Sequence, residues 1–391
     1  TLHTLFPYTT LSDLEIDHVQ AKPVLFDDAV EGLRHSSKRT TRMAFTTLIL
    51  DAPGPPLLCE EVDRFLELGL AVTLNLHYFT DKDSIRNHYG ERIQYAQINC
   101  HDKPAFIAAL TQAGGYSVFK TRLNIPLDGE LINAAACLAT PLRAIAQAGV
   151  GLNHIDRQAA GHAGVTILNT PGANAPAVAE YVVAQALFLS RDLGHYNAET
   201  HKGHWSKGSL PPVQEFSELT LGLVGTGDIA QQVARKARAL GIKVIATGSE
   251  RFTGQVAQDL GLDRRPTLTQ LLGEADVVSI HTPLTPLTRG LFDTTAFSQM
   301  RQGSILINTA RGGIVDEDQL AAFMTRFPGH IKAVAIDTFA QEKDRFNSPL
   351  AGIPNAQLTP HIAGNSATAI RTASRQIVDK IYAFGIAAKS R

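Results

Sequence analysis

The sequence predicts an α/β protein built from two doubly wound parallel-sheet domains. Short apolar runs typical of strands alternate with amphipathic helical stretches through most of the chain. The alternation is interrupted once, by a long helical stretch that begins near residue 174, and it starts again at Leu219. Such alternation is typical of parallel sheets that carry helices on both faces. A chain of 391 residues has room for two such domains.

Residues 1–42 are expected to be a non-native or disordered leader. They show neither helical nor strand periodicity, whereas Met43 is followed at once by the strand-like run AFTTLILDAP. We therefore expect the native protein to begin at Met43. The alternative is a genuine N-terminal extension that packs on the first domain.

The first series of strands and helices follows Met43. Its strand candidates are FTTLIL, AVTLNL, YAQINC, YSVFKT, RAIAQAG and VTILNT. The stretches between them have helical periodicity, as in EEVDRFLELG, PAFIAALTQAG and DGELINAAACL.

The second series follows residues 174–205, whose pattern predicts one long helix. Its strand candidates are LTLGLVG, IKVIATG, ADVVSIHTP, GSILINTA, IKAVAID and NAQLTPHI. The tail ATAIRTASRQIVDKIYAF predicts a closing helix.

The composition argues against several classes of function. The formal net charge is −1, so no electrostatic footprint indicates nucleic acid or an anionic membrane as a partner. No apolar run approaches the roughly 18 residues that a membrane span needs. Cys59, Cys100 and Cys137 are far apart, which suits neither a metal site nor a disulfide framework. We expect no metal ion and a cytoplasmic location.

The segment GTGDIA at residues 225–230 fits the dinucleotide-binding pattern G-x-G-x-x-G/A. Gly225 permits the tight turn, Gly227 lets the backbone approach a pyrophosphate, and the following helix directs its N-terminus at the phosphates. The pattern is weak by itself, because glycine turns also occur for structural reasons. Here it follows a predicted strand and opens a predicted helix, which indicates that the turn binds a dinucleotide.

The end of the next strand is where an acid usually holds the ribose 2′-hydroxyl of NAD. By register that place is Gly248, which leaves space and removes a charge that would repel a 2′-phosphate. Ser249 and Arg251 would then donate to the phosphate, so NADPH is favoured over NADH. In the alternative, Glu250 reaches the ribose and Arg251 is merely solvated.

Three segments after later strands carry polar groups suited to reduction of a 2-oxo acid. Arg311 in INTARGGIVD offers a planar cation for a carboxylate and a carbonyl. His361 in LTPHIAGNS suits proton donation, and a carboxylate such as Asp337 or Glu342 in AIDTFAQEK would raise its pKa. Each residue also has an ordinary alternative: a surface ion pair, a helix cap or a solvated loop.

Five segments occur in the order and at the distances of a known family. They are GLVGTGDIA, HTPLTPLTRGLFD, LINTARGGIVDEDQL, AIDTFAQE and LTPHIAG, preceded upstream by AGVGLNHID, NTPGANAPAVAEYV and HKGHW. Together they resemble the NAD(P)-dependent D-isomer-specific 2-hydroxyacid dehydrogenases, and within them the phosphoglycerate dehydrogenase-like and hydroxypyruvate/glyoxylate reductase-like members. The resemblance covers nearly everything from Met43 to the end.

The resemblance implies a flavodoxin-like substrate domain, residues 43–173 plus 361–391, split around a Rossmann nucleotide domain, residues 174–360. It implies that Arg311 binds the substrate, that His361 is the acid/base and that Glu342 is its carboxylate partner. In this chain Lys343 follows Glu342, where the family commonly has proline, so the loop could hold Glu342 differently.

The resemblance also implies contacts with the cofactor, several of them in the glycine turn. Including the residues inferred above from the turn and from the strand that follows it, the expected cofactor-binding residues are Gly225, Gly227, Asp228, Ile229, Gly248, Ser249, Arg251, His281, Pro283, Thr309, Ala310, Asp337, Ala363 and Gly364. Among these, Asp337 is expected near the nicotinamide amide, and His281 and Pro283 beneath the cofactor.

Two further segments are expected at the substrate. The GVG segment at 149–151 would offer N–H groups, including those of Val150 and Gly151, to the substrate carboxylate as an anion nest. Its alternative is an ordinary strand-to-helix turn. In VFKTRLN, Lys120 and Arg122 would meet a phosphorylated or bulky acidic substrate, or one of them would only reinforce the field on a simple carboxylate.

The predicted function is hydride transfer between NAD(P)H and a small 2-oxo acid such as glyoxylate or hydroxypyruvate, giving the D-2-hydroxy acid. A second hypothesis is a non-catalytic NAD(H) sensor of the corepressor type, and a third is a formate dehydrogenase-like or phosphonate-oxidising member. The helix over 174–205 and HKGHW resemble the dimer-forming element of the family, so a homodimer is expected.

Overall fold

The computed structural model describes residues 45–205, 207, 212–342 and 346–389. This part contains two parallel sheets, each covered on both faces by helices. The predicted fold class, α/β with two doubly wound sheets, is therefore confirmed. The predicted leader and Met43 lie outside the described residues.

The first sheet has six strands, in the order β3-β2-β1-β4-β5-β6. Its strands are β1 Thr46–Ile49, β2 Ala71–Asn75, β3 Gln94–Ala96, β4 Val118–Thr121, β5 Ala144–Gln147 and β6 Thr166–Asn169. Its helices are α1 Leu57–Glu67, α2 Lys82–Tyr89, α3 Lys103–Ala113, α4 Gly129–Ala136 and α5 Arg157–His162. Compared with the flavodoxin-like order, β3 is an added outer strand beside β2.

The second sheet has seven strands, in the order β9-β8-β7-β10-β11-β12-β13. Its strands are β7 Thr220–Val224, β8 Lys243–Thr247, β9 Asp263–Arg264, β10 Val277–Ile280, β11 Ser304–Asn308, β12 Ile331–Ile336 and β13 Ala356–Leu358. The helices between these strands are α8 Asp228–Ala239, α9 Gly254–Asp259, α10 Leu268–Glu274, α11 Thr294–Gln299 and α12 Glu317–Arg326. The sequence pattern missed β9, because two residues show no periodicity.

Aspartate side chains define where many of these helices begin. In each case the residue before the helix accepts a hydrogen bond from the third helical N–H, which satisfies a donor that has no partner inside the helix. The residues are Asp81, Asp102, Asp128, Asp156, Asp293 and Asp316.

The stretch over 174–205 forms two helices, so the prediction of one long helix is wrong. Helix α6 spans Ala175–Ser190, and α7 spans Leu193–His201. Between them Asp192 has φ 52°, a left-handed conformation that aspartate tolerates better than most residues and that ends a helix. An added Cβ at Gly194 would lie 3.0 Å from the ring of Phe188, so the glycine lets α7 start close against α6.

The closing helix α13, Ala367–Lys389, packs on the first domain. Ile377 and Ile381 lie in the same apolar core as Ile49 of β1, and Arg64 of α1 forms an ion pair with Asp379 at 2.8 Å. This placement supports the predicted split of the substrate domain, whose residue limits stay a prediction.

Lys120 of β4 is fully buried beneath α1 and α13, which corrects its predicted place at the substrate. Its Nζ lies 2.6 Å from Oε1 of Glu61 and donates to the carbonyl oxygen of Asp51 at 3.1 Å. The hydroxyl of Ser374 donates to the other carboxylate oxygen of Glu61. The ammonium is thus neutralised inside the fold, where a substrate does not reach it.

We predict that Lys120→Met destabilises the protein by about 3–5 kcal/mol, because it leaves the carboxylate of Glu61 buried without a counter-charge. Urea denaturation followed by circular dichroism measures the change. The matched control is Lys103→Met, which removes a surface lysine paired with Asp128 and Glu130 and is expected to destabilise the protein far less, because exposed ion pairs contribute little to stability. Equal losses in the two variants would contradict the prediction.

Candidate active site

A cleft of about 450 Å³ is lined by residues that follow strands of both sheets. Ligands bind outside the carboxyl ends of parallel strands, where the strand order reverses. Here the reversals lie between β1 and β4 and between β7 and β10. The lining residues used below are Arg122, Gln147, Val150, Gly151, Ile229, Thr309, Arg311, Asp337, His361, Ala363 and Gly364.

Three neighbouring strands bring the predicted catalytic residues together. Arg311 follows β11, Glu342 follows β12 and His361 follows β13, and these strands are adjacent in the sheet. Because parallel strands end at the same edge, residues 50 positions apart in sequence reach the same cleft. The structure therefore assembles the three residues that the sequence singled out separately.

Arg311 is fixed by its own loop. Its Nη1 donates to the carbonyl oxygen of Ala310 at 2.7 Å, and the amide of Asn308 donates to the carbonyl oxygen of Arg311 at 3.2 Å. Its Nη2 lies against Gly151, where an added Cβ would come within 3.2 Å. Burial lowers the pKa of Arg311, opposed by the charge of Glu342, yet a guanidinium keeps its proton at neutral pH.

His361 and Glu342 form a hydrogen-bonded pair at the cleft. Nδ1 of His361 lies 3.0 Å from Oε2 of Glu342, and the N–H of Phe339 donates to Oε1 at 3.3 Å. The two side chains remain 44% and 35% exposed, so a ligand in the cleft reaches the imidazole. Lys343 lies outside the described residues, and the pair forms without a proline at that position.

The electrostatics of the pair favour the protonated form of the imidazole. The hydrogen bond to Glu342 raises the pKa of His361, burial opposes it, and the charges of Glu342 and Asp337 add to the rise, while Arg311 lowers it. Burial alone would raise the pKa of Glu342, but its bond and attraction to His361, with the Phe339 N–H and Arg311, lower it. Each partner therefore favours the charged form of the other.

Asp337 organises the loop that carries His361. Its buried carboxylate accepts the N–H groups of Ile362 at 2.8 Å and Ala363 at 2.9 Å and the hydroxyl of Thr359 at 2.7 Å. Asp337 was expected near the nicotinamide amide; it does line the cleft, and its hydrogen bonds give it a structural task there as well.

In the 149–151 segment, two of the three backbone N–H groups are free to bind a ligand. The N–H of Gly149 donates to the carbonyl oxygen of Gln147 at 2.9 Å. Within the described residues, the N–H groups of Val150 and Gly151 have no acceptor. This arrangement agrees with an anion nest formed by those two groups beside Arg311.

Arg122 reaches the cleft, unlike Lys120. Oδ1 of the buried Asp51 accepts the N–H of Arg122 at 2.8 Å, and its Oδ2 accepts the N–H of Leu123 at 2.9 Å. The amide of Gln147 donates to the carbonyl oxygen of Arg122 at 2.9 Å. Arg122 lines the cleft, its Nε is buried without a hydrogen-bond partner, and the guanidinium has no ion pair in the described part of the chain.

The glycine turn has the shape that a dinucleotide requires. Gly225 has φ 111°, and an added Cβ there would lie 2.5 Å from the carbonyl oxygen of His281, so only glycine fits. Nothing approaches within 4 Å of a Cβ built on Gly227, which immediately precedes α8 and provides no side-chain cap. This open helix N-terminus fits a pyrophosphate. Ile229 lines the cleft, and Asp228 lies against Gly172.

The site of Gly248 is less open than the sequence predicts. An added Cβ would lie 3.0 Å from Cβ of Phe252 and 3.4 Å from the hydroxyl of Thr226. Phe252 thus partly fills the space beside the glycine. A turn closed by a hydrogen bond from the N–H of Phe252 to the carbonyl oxygen of Ser249 brings Phe252 back to Gly248. Ser249, Glu250 and Arg251 are exposed around this turn.

Of the other expected cofactor residues, only some line the cleft. Thr309, Ala363 and Gly364 line it, whereas Ala310 and Pro283 do not. His281 follows β10 beside the glycine turn, its Nε2 lies 3.0 Å from the Ser279 hydroxyl, and burial lowers its pKa to about 3, so it stays neutral.

Several residues at the site had no signal of their own in the sequence. Asp51, Gln147, Tyr181 and Thr359 are single polar residues in or after strands and helices. For Asp51, Gln147 and Thr359, the position at a strand end was the one available indication. Within the described residues no cluster of metal-ligating side chains is found, and none of the described helices has the length and apolar character of a membrane span.

The sequence profile of the D-isomer specific 2-hydroxyacid dehydrogenase NAD binding domain matches residues 183–363. The chain is 37% identical to the hydroxypyruvate reductase of Thermotoga maritima over 244 residues, which are 62% of this chain and 77% of that protein. It is 38% identical to the (S)-sulfolactate dehydrogenase of Chromohalobacter salexigens over 65% of this chain and 80% of that protein. The D-3-phosphoglycerate dehydrogenase of Mycobacterium tuberculosis is 33% identical over 75% of this chain, which spans about half of that protein, 53%.

Solved structures share the fold. The TT0316 protein of Thermus thermophilus superimposes with a TM-score of 0.65 at 29% identity, over 85% of this chain and 94% of that one. The D-lactate dehydrogenase of Aquifex aeolicus, complexed with NAD and lactic acid, has a TM-score of 0.67 at 24% identity, over 87% and 95%. The resemblance stated from the sequence motifs is confirmed.

We predict that Glu342→Gln moves the alkaline loss of oxidoreductase activity, assayed in the direction of reduction, to lower pH. A donor histidine must be protonated, so activity falls as the pH rises through its pKa, and Glu342 is the main cause of that raised pKa. The shift is expected to be about one pH unit or less, which costs up to ~10-fold in rate on the alkaline side.

The pH dependence of kcat measures this shift. The control is Glu274→Gln, which breaks a surface pair with Arg265 away from the cleft and should leave the profile unchanged. An alkaline limb that stays in place in Glu342→Gln would contradict the assigned pairing.

Proposed function

Because this chain belongs to the D-isomer specific 2-hydroxyacid dehydrogenases, we propose that it reduces a small 2-oxo acid to the D-2-hydroxy acid with NAD(P)H. The family makes it a nicotinamide-dependent oxidoreductase. The observation that carries the specific proposal is the meeting of Arg311 with the His361–Glu342 pair in one cleft.

The substrate carboxylate binds at Arg311 and the anion nest. The guanidinium is held by its own loop and lies against Gly151, whose N–H and that of Val150 are free to donate. A planar fork beside two N–H groups orients a carboxylate and the adjacent carbonyl. Donors fixed in advance stabilise the alkoxide that develops at the carbonyl oxygen.

His361 donates the proton that the reduced oxygen needs. Glu342 orients the imidazole and holds the proton on it until transfer. When bound, the reduced nicotinamide supplies the hydride. The open glycine turn at Gly225 and Gly227 and the N-terminus of α8 would hold its pyrophosphate, with Thr309, Asp337 and Gly364 lining the cleft beyond.

The substrate is a short acid. Arg122 is the residue that would bind a second anionic group on it. The relatives named above act on hydroxypyruvate, sulfolactate and 3-phosphoglycerate, by their names. Arg122 gives the cleft a second cation without a counter-ion among the described residues. Glyoxylate and hydroxypyruvate are the expected substrates, and phosphohydroxypyruvate tests the role of Arg122.

We predict that the purified protein oxidises NADPH or NADH in the presence of at least one acid among glyoxylate, hydroxypyruvate, pyruvate, 2-oxoglutarate and phosphohydroxypyruvate. Arg311→Met should lower kcat/KM by about 10²-fold or more, because it removes a donor that stabilises the developing charge. The loss of absorbance of the reduced cofactor measures both, and chiral chromatography of the product tests for the D-isomer.

The control is Arg326→Met on the surface helix α12, where the guanidinium stacks on Phe327, with wild-type kinetics expected. Cofactor titration by fluorescence distinguishes the outcomes. Tight cofactor binding without turnover of any acid would contradict the proposal and support the non-catalytic sensor. Near-native turnover of Arg311→Met would remove that residue from the substrate site.

We also propose that NADPH is preferred over NADH. The absence of an acid at Gly248 and the exposed Ser249 and Arg251 beside it support this preference. The close packing of Phe252 narrows the space for a 2′-phosphate at Gly248 itself, so the phosphate would be bound by the turn that follows β8.

We predict that Gly248→Asp moves the preference toward NADH by about tenfold or more, since a carboxylate repels a 2′-phosphate and accepts the ribose hydroxyl of NADH. The ratio of kcat/KM for the two cofactors measures it. Because any Cβ at this position contacts Phe252, Gly248→Ala is the matched control for packing. The same ratio in both variants would contradict the assignment.

A homodimer through the nucleotide domain and a cytoplasmic location belong to the same proposal. Support for the dimer comes from two large apolar side chains on the surface of this region: Leu193 at the start of α7 is 49% exposed, and Trp205 after the end of α7 is 81% exposed. Large exposed apolar side chains in one region are typical of protein–protein contacts.

A further inference from the structure

A chain of hydrogen bonds connects helix α6 with the loop that carries His361. We propose that Tyr181 and Thr359 are positioning residues that act on His361 through Asp337. They hold the Asp337 carboxylate in one orientation. That carboxylate fixes the loop backbone, and the loop places the imidazole of His361 beside Glu342. The catalytic meaning of this chain rests on the proposed function, whereas its effect on His361 does not.

The backbone of His361 requires such support. Its φ is 54°, in the left-handed region that residues other than glycine rarely adopt. Such a conformation persists only where the surroundings determine it, and it is frequent at functional sites. The N–H of His361 donates to the carbonyl oxygens of Asp337 at 2.8 Å and Thr359 at 3.0 Å.

The carboxylate of Asp337 fixes the backbone of the two residues that follow His361. It is fully buried, and it receives the N–H of Ile362 on Oδ1 and the N–H of Ala363 on Oδ2. A carboxylate that rotates about its side-chain bonds would lose one or both contacts. The hydroxyl of Thr359, 2.7 Å from Oδ1, opposes that rotation.

The donor of the hydrogen bond between Tyr181 and Thr359 follows from the number of hydroxyl hydrogens that each residue has. Thr359 has one hydroxyl hydrogen and donates it to Asp337. Tyr181, whose phenol oxygen lies 2.6 Å from the Thr359 oxygen, must therefore be the donor of that bond. Burial raises the pKa of Tyr181, so the phenol keeps the proton that it donates.

Helix α6 anchors this series of hydrogen bonds in the protein core. Val178, Ala179 and Val182, which flank Tyr181, are buried in the core of the second domain with strands β7 and β11. The order from core to cleft is thus Tyr181, Thr359, Asp337 and the loop of His361. A loop tied to the core in this way does not depend on the substrate to adopt its conformation.

The charged groups that face His361 are Glu342, Asp337 and Arg311. If Thr359 loses its hydroxyl, the Asp337 carboxylate loses one of its three donors and the loop relaxes. The 3.0 Å bond between His361 and Glu342 then weakens. The pKa of His361 falls toward its ordinary value, because that bond is the largest cause of the rise.

The test is the titration of His361 by NMR in protein labelled at the histidine ring carbons, with the resonance assigned from its loss in His361→Gln. In Thr359→Val the midpoint is expected to move to lower pH by roughly 0.5 to 1 unit, the effect of one hydrogen bond. Tyr181→Phe should move it in the same direction by less, and Thr359→Ser, which keeps the hydroxyl, should restore it.

Thr338→Val is the matched control. Thr338 is the neighbour of Asp337 and is buried, but its hydroxyl has no partner among the described residues. The substitution therefore makes the same exchange of a buried hydroxyl for a methyl group without removing a hydrogen bond. The titration of His361 should not change. A shift in Thr338→Val equal to that in Thr359→Val, or an unchanged midpoint in Thr359→Val, would overturn the proposal.

Kinetics give a second readout that separates the two proposals. In Thr359→Val, kcat should fall about 5- to 10-fold with KM values changed less than about twofold, because the proton donor and not the anion site is displaced. Failure of the wild-type protein to reduce any acid would refute the proposed function, and the NMR titration would still decide whether Thr359 positions His361.

Discussion

The carboxylate of Asp337 is the constraint on which the candidate active site depends. It is buried, and a buried charge is tolerated only when hydrogen bonds replace the water it has lost. Two of those bonds come from the backbone immediately after His361, so the need to satisfy the carboxylate determines the conformation of the loop that carries His361. The left-handed backbone of His361 and the contact between its ring and Glu342 follow from that requirement. The structure thus uses the stability of its core to fix a strained functional residue.

The sheet supplies the second part of the arrangement. Arg311, Glu342 and His361 follow β11, β12 and β13, and those strands are neighbours. A cation and a protonated imidazole would repel each other if they were alone in the cleft. Glu342 lies against the imidazole and also attracts the guanidinium, so it allows both charges to face one ligand. The result is a cleft whose charges favour an anion with a protonated imidazole beside it.

Local patterns predicted most of this structure. The two parallel sheets follow from alternating strands and helices, and the glycine turn and the residues Arg311 and His361 follow from motifs with a chemical reason. Other features depend on contacts that no local pattern contains. Lys120 and Arg122 are two positions apart, yet one is paired with Glu61 beneath α1 and the other lines the cleft. The left-handed Asp192 divides a helix whose periodicity is continuous, and Phe252 partly fills the space that Gly248 alone would leave. Tyr181 meets Thr359, 178 positions away, only after folding.

The central claim is that one cleft holds an anion at Arg311 and a proton on His361 at the same time. Calorimetric titration of oxamate, a 2-oxo acid analogue, into the protein saturated with reduced cofactor tests it most directly. The measurement is made about one pH unit above the pKa of His361, in two buffers of different ionisation enthalpy, which together give the protons taken up per site. Uptake of nearly one proton in the wild-type protein and none in His361→Gln is the predicted result. Binding without proton uptake, or uptake that persists in His361→Gln, would contradict the claim.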